Sequence, residues 1–190
     1  EKVVTAMRGH EVVIHLAWNT KIENWLSDTI EPGNVLMAFN VYKAALKVGV
    51  RRVIMASSIH TNDLRNWQGP KLLSPNDLPS PDSPYGASKV FTEALGRYYA
   101  KKGLEVICIR FMGLNQNNRP NITSHSDPRA KEKWFSHRDC GDLIRAIVSA
   151  PTIPENFAIV YGVSNNKGRP VDVVNPFDWL PKDDSHASFV

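Results

Sequence analysis

Short apolar runs alternate with amphipathic stretches along most of the chain. Four runs have the length and composition of buried strands, at residues 10–17, 51–58, 104–111 and 157–164. Residues 34–48 and 85–102 carry apolar side chains at three- and four-residue spacing, which predicts helices, and Gly49 suits the end of the first. Ser136 and Asp139 have the spacing of a capping box, which predicts the start of a third helix.

Strands that alternate with helices favour a parallel sheet covered on both faces. The sequence therefore predicts an α/β fold with a Rossmann-like doubly wound parallel sheet. Such a sheet binds its ligands at the carboxyl ends of the strands. The segments in which to look for chemistry are those after the first three strands, which read "HLAWNT", "ASSIHT" and "RFMGLN".

Composition limits the classes of function. With 42% hydrophobic and 22% charged residues, the 190-residue chain is typical of one globular domain or slightly more. It has no apolar run near the ~20 residues that span a bilayer, and its net charge of +4 is scattered. We therefore expect a soluble cytoplasmic protein with no membrane or nucleic-acid partner. Cys108 and Cys140 lack metal-ligand spacing, so we expect no metal and favour reduced thiols over a disulfide.

Tyr85 and Lys89 lie four residues apart at the start of the second predicted helix, just after Pro84. This spacing places both side chains on one face. A tyrosine with a pKa near 10 needs help to act as a base at neutral pH, and a nearby ammonium group favours the phenolate. Ser57 or Ser58, at the end of the second strand, would add a hydroxyl. Taken alone, the pair is weak evidence, because this spacing occurs by chance in many helices and favours a surface tyrosine and a solvated lysine.

The combination of motifs is more specific. "HLA" after the first strand, Asn34 at the opening of the next helix, "ASS" after the second strand and "SPYGASK" resemble the extended short-chain dehydrogenase/reductase family, which includes NAD-dependent epimerases and dehydratases. The resemblance implies that Tyr85 is the general base, that Lys89 holds the nicotinamide ribose and lowers the pKa of Tyr85, and that Ser58 orients the substrate. It implies NAD as cofactor, with NADP as the alternative. The cofactor contacts that it implies are Leu16, Ala17, Asn34 and Lys89.

Further segments resemble the uronate dehydrogenases of this family, namely "KWFSHRDCGDLIRAIVSAP", "VYGVSNN" and "FDWLPKDDS". The implied reaction is the NAD-dependent oxidation of a sugar or sugar acid. The implied substrate contacts are Thr20, Ser58, His60 and Arg129, and the guanidinium of Arg129 would grip a sugar carboxylate. Ile59 and Gly113 stand where the resemblance implies polar side chains. A sugar and a sugar acid therefore both stay open as substrates.

The family resemblance also implies a Gly-rich turn that holds the cofactor pyrophosphate at a helix N-terminus. The sequence contains no such turn, so we expect a fragment or a truncated form. We divide it into an N-terminally incomplete NAD(P)-binding Rossmann domain at residues 1–112 and a small substrate-binding region with a further helix and strand at residues 113–190. The alternative functions are a sugar or nucleotide-sugar epimerase or dehydratase and a non-catalytic relative.

The two long predicted helices carry more apolar positions than one sheet face should bury. In the family these helices pair across a two-fold axis, so the sequence predicts a homodimer. The alternative is that both apolar stripes belong to the core. The positions on which the prediction rests are Phe39, Phe91, Leu95, Tyr98 and Tyr99.

Overall fold

A four-stranded parallel sheet organises the described part of the protein. The computed structural model describes residues 1–19, 28–64, 71–122 and 129–189. Within these ranges four strands pair in chain order, namely Val12–His15 (β1), Arg52–Ser58 (β2), Glu105–Phe111 (β3) and Phe157–Gly162 (β4). Each predicted apolar run contains one of these strands. The predicted α/β, Rossmann-like fold is confirmed.

Helices cover both faces of this sheet. In the described ranges they are Lys2–Met7 (α1), Pro32–Val48 (α2), Pro84–Ala100 (α3), Ala130–Lys133 (α4), His137–Ser149 (α5) and Ser185–Ser188 (α6). Short 3-10 turns occupy Ile59–Thr61 and Pro154–Asn156. Helix α1, which the sequence did not predict, packs its buried Met7 into the same core as α2.

Alternate side chains of the central strands point to opposite faces, as the strand pleat requires. One set packs against α2 and α3 and consists of Val53, Met55, Val106 and Cys108. The other set packs against Leu143 and Ile147 of α5 and consists of Ile54, Ile107 and Ile109. Both faces of β2 and β3 are therefore apolar, which explains why these strands appear as continuous hydrophobic runs.

Local capping sets the ends of the two long helices. Helix α2 begins two residues earlier than predicted, because Glu31 accepts a hydrogen bond from the backbone N–H of Gly33 at 3.0 Å. Asn34 consequently lies inside the first turn and does not open the helix. Gly49 ends α2 as predicted, with a φ of 75°. Helix α3 ends at Ala100, two residues before the predicted boundary.

The capping box predicted for α5 is correct in one half and wrong in the other. The Ser136 hydroxyl accepts from the backbone N–H of Asp139 at 2.9 Å. The Asp139 carboxylate does not return to Ser136 but accepts from the backbone N–H groups of Lys182 and Asp183, at 2.9 and 3.0 Å. The backbone N–H of Ser136 donates to Ser164. Asp139 therefore attaches the C-terminal segment to α5.

Strand β4 joins the C-terminal region to the sheet. It pairs with β3 from Val106 opposite Phe157 to Phe111 opposite Gly162. The division into residues 1–112 and 113–190 stays a prediction. Cys108 is buried and Cys140 is half-buried, and neither forms a disulfide.

Membrane-spanning helices and clusters of metal ligands are both absent from the described residues. No helix in them is long and apolar enough to cross a bilayer. No group of three or more His, Cys, Asp or Glu side chains in them is placed to hold a metal ion.

Candidate active site

The first turn of α3 packs directly on the 3-10 turn that follows β2. A Cβ atom at Gly86 would lie 2.0 Å from the carbonyl oxygen of His60, so only glycine permits this approach. The Ser83 hydroxyl caps the helix by accepting from the N–H of Gly86 at 3.1 Å. The close approach brings Tyr85 to the end of β2, where it lines the same cavity as Ser58.

His60 is fixed beside this pair. Its Nδ1 lies 2.7 Å from an Asp82 carboxylate oxygen, and its backbone N–H donates to the Ser58 hydroxyl at 3.2 Å. Its ring meets the Tyr85 ring edge-on, with the centroids 5.6 Å apart. Three of the predicted site residues, Ser58, His60 and Tyr85, therefore lie together at the carboxyl ends of the strands.

Lys89 lies one helical turn after Tyr85 and is 3% exposed. Its Nζ donates to the carbonyl oxygen of Ala56 at 2.8 Å. Burial lowers the pKa of Lys89 to about 7, although Cys108 and Glu93 act in the opposite direction.

The pKa of Tyr85 is raised above its ordinary value. Burial is the main cause, the negative charge of Asp82 adds to it, and the hydrogen bond with Ser58 partly offsets both. The prediction that Lys89 lowers the pKa of Tyr85 is wrong for this structure. The physical reason is that the ammonium of Lys89 is bound to Ala56, 5.8 Å from the centre of the Tyr85 ring, and is itself only partly charged.

Trp18, in the segment after β1, completes this side of the site. Its ring lies over the ammonium of Lys89, 3.4 Å from Nζ to the ring centroid, and meets Tyr85 edge-on at 6.2 Å. The first contact is a cation–π interaction. Sequence reasoning did not single out Trp18. The signal in the sequence was an aromatic residue three positions after a strand end.

A cavity of about 530 Å³ opens in front of Ser58 and Tyr85, a size typical of small-molecule sites. Its walls come from the segments that follow β1, β2 and β3, together with α3 and α4. The described residues that line it are Trp18, Asn19, Ser57, Ser58, Ile59, His60, Tyr85, Phe111, Met112, Gly113, Asn121, Ala130 and Lys133.

The profile of the NAD dependent epimerase/dehydratase family matches residues 1–122. The chain belongs to this family. The L-arabinose 1-dehydrogenase (NAD(P)(+)) of Haloferax volcanii is 31% identical to it over an alignment of 204 residues, which covers 97% of this chain and 79% of that protein. The NAD-dependent glucose-6-phosphate dehydrogenase of the same organism is 33% identical over 176 residues, which cover 86% of this chain and 64% of that protein.

A solved structure extends the family likeness to three dimensions. The crystal structure of uronate dehydrogenase from Agrobacterium tumefaciens matches with a TM-score of 0.80 at 31% identity, over 97% of this chain and 66% of that one. The chain thus spans about two thirds of the length of this protein and of the glucose-6-phosphate dehydrogenase.

The remaining predicted cofactor contacts lie around the segment after β1. Leu16 is 63% exposed and Ala17 is exposed, directly at the carboxyl end of the strand. Asn34 is buried, and its side chain accepts from the backbone N–H of Asn19 at 2.6 Å and donates to the carbonyl oxygen of Asn19 at 3.2 Å. Asn34 therefore holds this segment in place. Contact of these residues with a cofactor stays a prediction, and Thr20 lies outside the described residues.

Arg129 does not line the cavity. It forms an ion pair with Glu132, three residues later, and its side chain is 29% exposed. The structure therefore does not bring Arg129 together with the other predicted substrate contacts. Lys133 lines the cavity from the same short helix and was not predicted. The run "RAKEK" contains one arginine and two lysines, and its spacing did not distinguish which of them faces the site.

A buried ion pair between β3 and α3 stabilises the site next to Ser58. Arg110 of β3 binds both carboxylate oxygens of Glu93 of α3, at 2.9 and 2.8 Å. Glu93 also accepts from the Ser57 hydroxyl at 2.6 Å, while Arg110 donates to Asn62 and Tyr161 at 3.0 and 3.1 Å. Because Ser57 is bound in this way, Ser58 is the serine that faces Tyr85. An arginine inside the apolar run "LEVICIRF" was the signal for this network.

Proposed function

We propose that this chain is the catalytic part of an NAD(P)-dependent dehydrogenase that oxidises a sugar or sugar acid at C1. The observation that carries the proposal is that Tyr85 and Ser58 line the same cavity of small-molecule size, with Tyr85 one helical turn before Lys89. The relatives described above are named for L-arabinose, glucose 6-phosphate and uronate, which supports a sugar-type substrate.

The polar groups near Lys89 fit the nicotinamide ribose of the cofactor. The ammonium of Lys89 has three N–H donors, and one of them bonds Ala56. The buried Nε2 atom of His15, at the end of β1, has no hydrogen-bond partner among the described residues. Burial is the main cause that lowers the pKa of the His15 imidazole, and the positive charge of Lys89 lowers it further. Lys89 and the segment after β1 would hold the ribose. Along the sequence, the two glycines with the smallest spacing are Gly162 and Gly168. These 190 residues therefore contain no Gly-rich turn that could hold the pyrophosphate.

When bound, NAD supplies the acceptor for the hydride that leaves C1 of the sugar with its electron pair. The Ser58 hydroxyl holds the C1 oxygen in place. The Tyr85 phenolate takes the proton of the C1 hydroxyl as the carbonyl forms, and tyrosine becomes neutral. Because burial raises the pKa of Tyr85, the phenolate is the minor form at neutral pH, and the rate should rise with pH.

The test is an assay of NADH or NADPH formation by the full-length protein with L-arabinose, galactose, glucose, galacturonate, glucuronate and glucose 6-phosphate. Tyr85→Phe should lower turnover by ~10²–10⁴-fold, since it removes the proton acceptor, and should keep cofactor affinity within a few-fold. Tyr98→Phe, on the exposed side of the same helix, is the matched control and should keep full activity. A Tyr85→Phe variant with more than about a tenth of the wild-type rate would refute the catalytic assignment.

We also propose that two copies associate through α2 and α3. The outer side of these helices carries a groove of about 570 Å³ between Ile30, Leu36 and Phe91. Leu36, Phe91 and Tyr98 are 59%, 50% and 53% exposed, which is unusual for a cluster of large apolar side chains. One such face can pair with itself about a two-fold axis.

Two of the residues predicted for the homodimer interface belong elsewhere. Tyr99 is 5% exposed, and Leu95 packs against the core formed by α2, α3 and the sheet. Their assignment to the interface is wrong, because the helix turns these positions toward the sheet. Phe39, Phe91 and Tyr98 keep their place in the proposal.

A further inference from the structure

We propose that Asn166 is a positioning residue that fixes α4 as a wall of the cavity, and that through α4 it sets how tightly the site binds its sugar. The inference rests on the proposed function and deepens it, because it names a residue that acts on substrate affinity from outside the cavity.

The first argument is the position of α4. This helix is a single turn, Ala130–Lys133, and both of its end residues line the cavity that Ser58 and Tyr85 also line. A helix of one turn is not stable by itself in water, because the first hydrogen-bonded turn orders more of the backbone than its bonds repay. Neighbouring segments of the fold must therefore hold α4 in place.

Asn166 holds the end of α4 through two hydrogen bonds. Its amide donates to the carbonyl oxygens of Glu132 and Trp134, at 3.1 and 2.7 Å. A helix has no partners of its own for its last carbonyl groups, so these bonds satisfy acceptors that α4 cannot. Asn166 is 2% exposed, and its side-chain oxygen accepts from the backbone N–H of Ser185 at 3.0 Å. One buried amide therefore connects α4, the segment after β4 and the C-terminal segment.

Two further hydrogen bonds act on the same turn. The Ser185 hydroxyl donates to the carbonyl oxygen of Lys131 at 2.7 Å. The N–H of Gly113, two residues after β3, donates to the carbonyl oxygen of Lys133 at 2.8 Å. A Cβ atom at Gly113 would lie 3.0 Å from that oxygen, so α4 approaches the end of β3 closely. Each carbonyl oxygen from residue 131 to residue 134 is thus bound by a group from another segment.

The second argument is that Asn166 can act on the sugar only through α4. Gly113 lines the cavity, whereas Asn166 and Ser185 do not. If α4 is correctly placed in only a fraction of the molecules, the apparent affinity for a ligand of the cavity falls by that fraction. Ser58 and Tyr85 belong to β2 and α3, so loss of the Asn166 bonds should leave the proton transfer unchanged.

Asn166→Asp is the sharpest variant. It keeps an oxygen that accepts from Ser185 and replaces the amide donor by a carboxylate oxygen, which cannot donate to the two carbonyl groups. In the full-length protein it should raise KM by ~5- to 100-fold for the sugar of the panel with the highest kcat/KM, the range for two lost buried hydrogen bonds. The same variant should change kcat, and NAD affinity in calorimetric titration, by less than about three-fold.

Asn175→Asp is the matched control. The Asn175 amide also donates to two carbonyl oxygens, those of Val173 and Trp179, both at 2.8 Å, and its side-chain oxygen accepts from the N–H of Trp179 at 3.2 Å. None of these three residues lines the cavity. Asn175→Asp should lower the midpoint of urea denaturation, as Asn166→Asp does, and keep KM within about three-fold of the wild type. An equal rise of KM in both variants, or an unchanged KM in Asn166→Asp, would overturn the proposal.

A milder variant guards against a folding defect in Asn166→Asp. Ser185→Ala removes one donor to α4 and keeps the backbone N–H that Asn166 binds, so KM should rise by ~2- to 10-fold with kcat unchanged. Hydrogen exchange provides a measurement that needs no substrate, because the N–H groups of Lys133 and Trp134 bond to Arg129 and Lys131 within this turn. Both variants should speed exchange in residues 130–135, and Asn175→Asp should not.

Failure of the proposed function can be separated from failure of this inference. If the wild type oxidises no sugar of the panel, the dehydrogenase proposal fails. Hydrogen exchange then decides on Asn166 by itself, since faster exchange in residues 130–135 of Asn166→Asp would support its hold on α4, whereas exchange as slow as in the wild type would overturn it. If the wild type is active and KM does not rise in Asn166→Asp, this inference alone fails.

Discussion

The indole ring of Trp18 covers the ammonium group of Lys89, with Nζ 3.4 Å from the ring centroid. The same ring meets Tyr85 edge-on, so it lies against both residues of the predicted Tyr–Lys pair. Lys89 is the side chain that we propose to hold the nicotinamide ribose. The ribose and the indole would therefore compete for the same ammonium, and cofactor binding should displace Trp18.

Removal of this ring should strengthen cofactor binding. A cation–π contact contributes about 0.5–2 kcal/mol, so Trp18→Ala should tighten NAD binding by roughly 2- to 30-fold, as measured by calorimetric titration. Trp18→Phe keeps a ring over Lys89 and should remain close to the wild type. Weaker binding by Trp18→Ala would mean that the indole is part of the cofactor site and not its competitor.

The pKa of Lys89 makes the stability of the fold depend on pH. Burial lowers it to about 7, against ~10.4 for an exposed lysine in the unfolded chain. Between these values the unfolded state binds more protons, so stability should rise with pH from 7 to about 10 and be lowest below 7. Urea denaturation at pH 7, 8 and 9 should show the wild type gaining up to ~1.4 kcal/mol per pH unit relative to Lys89→Met. A difference that stays constant with pH would contradict the burial of a neutral Lys89.

The Arg110–Glu93 pair should be far more important for stability than an exposed ion pair. Glu93→Ala leaves the guanidinium of Arg110 buried without its carboxylate, which costs about 3–5 kcal/mol. Arg138 pairs with Asp183 but is 58% exposed, so Arg138→Ala should cost no more than ~1 kcal/mol. Chemical denaturation of both variants measures the contrast. Similar losses in the two would show that the buried network is not a main support of the site.

Two helical glycines offer a matched pair for the packing of α3. At Gly86 an added Cβ would meet the backbone of His60, so Gly86→Ala should push Tyr85 away from Ser58 and lower both stability and kcat. At Gly141 in α5 nothing lies within 4 Å of an added Cβ, and Gly141→Ala should stabilise the protein by about 0.5–1 kcal/mol. Thermal unfolding and turnover of the two variants provide the comparison. Full activity in Gly86→Ala would contradict the close-approach argument.

The groove on α2 and α3 should control association. Phe91→Glu places a charge in the middle of the apolar face and should produce monomers in light scattering at micromolar concentration, with the wild type dimeric. Val3→Glu, an equally exposed apolar position on α1, should leave the mass unchanged. A wild type that is monomeric under these conditions would reject the homodimer.

The spacing of apolar residues along the sequence predicted the order of strands and helices. It could do so because both faces of β2 and β3 are apolar, which makes these strands continuous hydrophobic runs. The family resemblance selected Ser58, Tyr85 and His60, and the structure brings them together because they follow one strand end and open one helix. It failed where a tertiary partner decides the outcome. Burial outweighs any effect of Lys89 on the pKa of Tyr85, and no local pattern reports how deeply a side chain is buried.

The sequence also did not show that Arg129 would lie outside the cavity lining, and its role as a substrate contact stays a prediction. Position in a motif identifies an arginine near the site, but the ion pair with Glu132 and the orientation of α4 determine which cation faces the cavity. The same holds for Tyr99. Its spacing along α3 is compatible with an outer apolar stripe and with a core position, and the packing of α2 against it places it in the core.

Two sides of the cavity wall belong to different elements of the fold. One side consists of Asn121, Ala130 and Lys133, and the other carries Ser58 and Tyr85. The first belongs to the segment after β3 and to α4, whereas the second is fixed by β2, α3 and the buried network beneath them. If the proposed function is correct, substitutions in the first wall should change which sugar enters without moving Tyr85. This arrangement offers a direct route to altered specificity, because a small library at three positions would explore new substrates on an unchanged reaction centre.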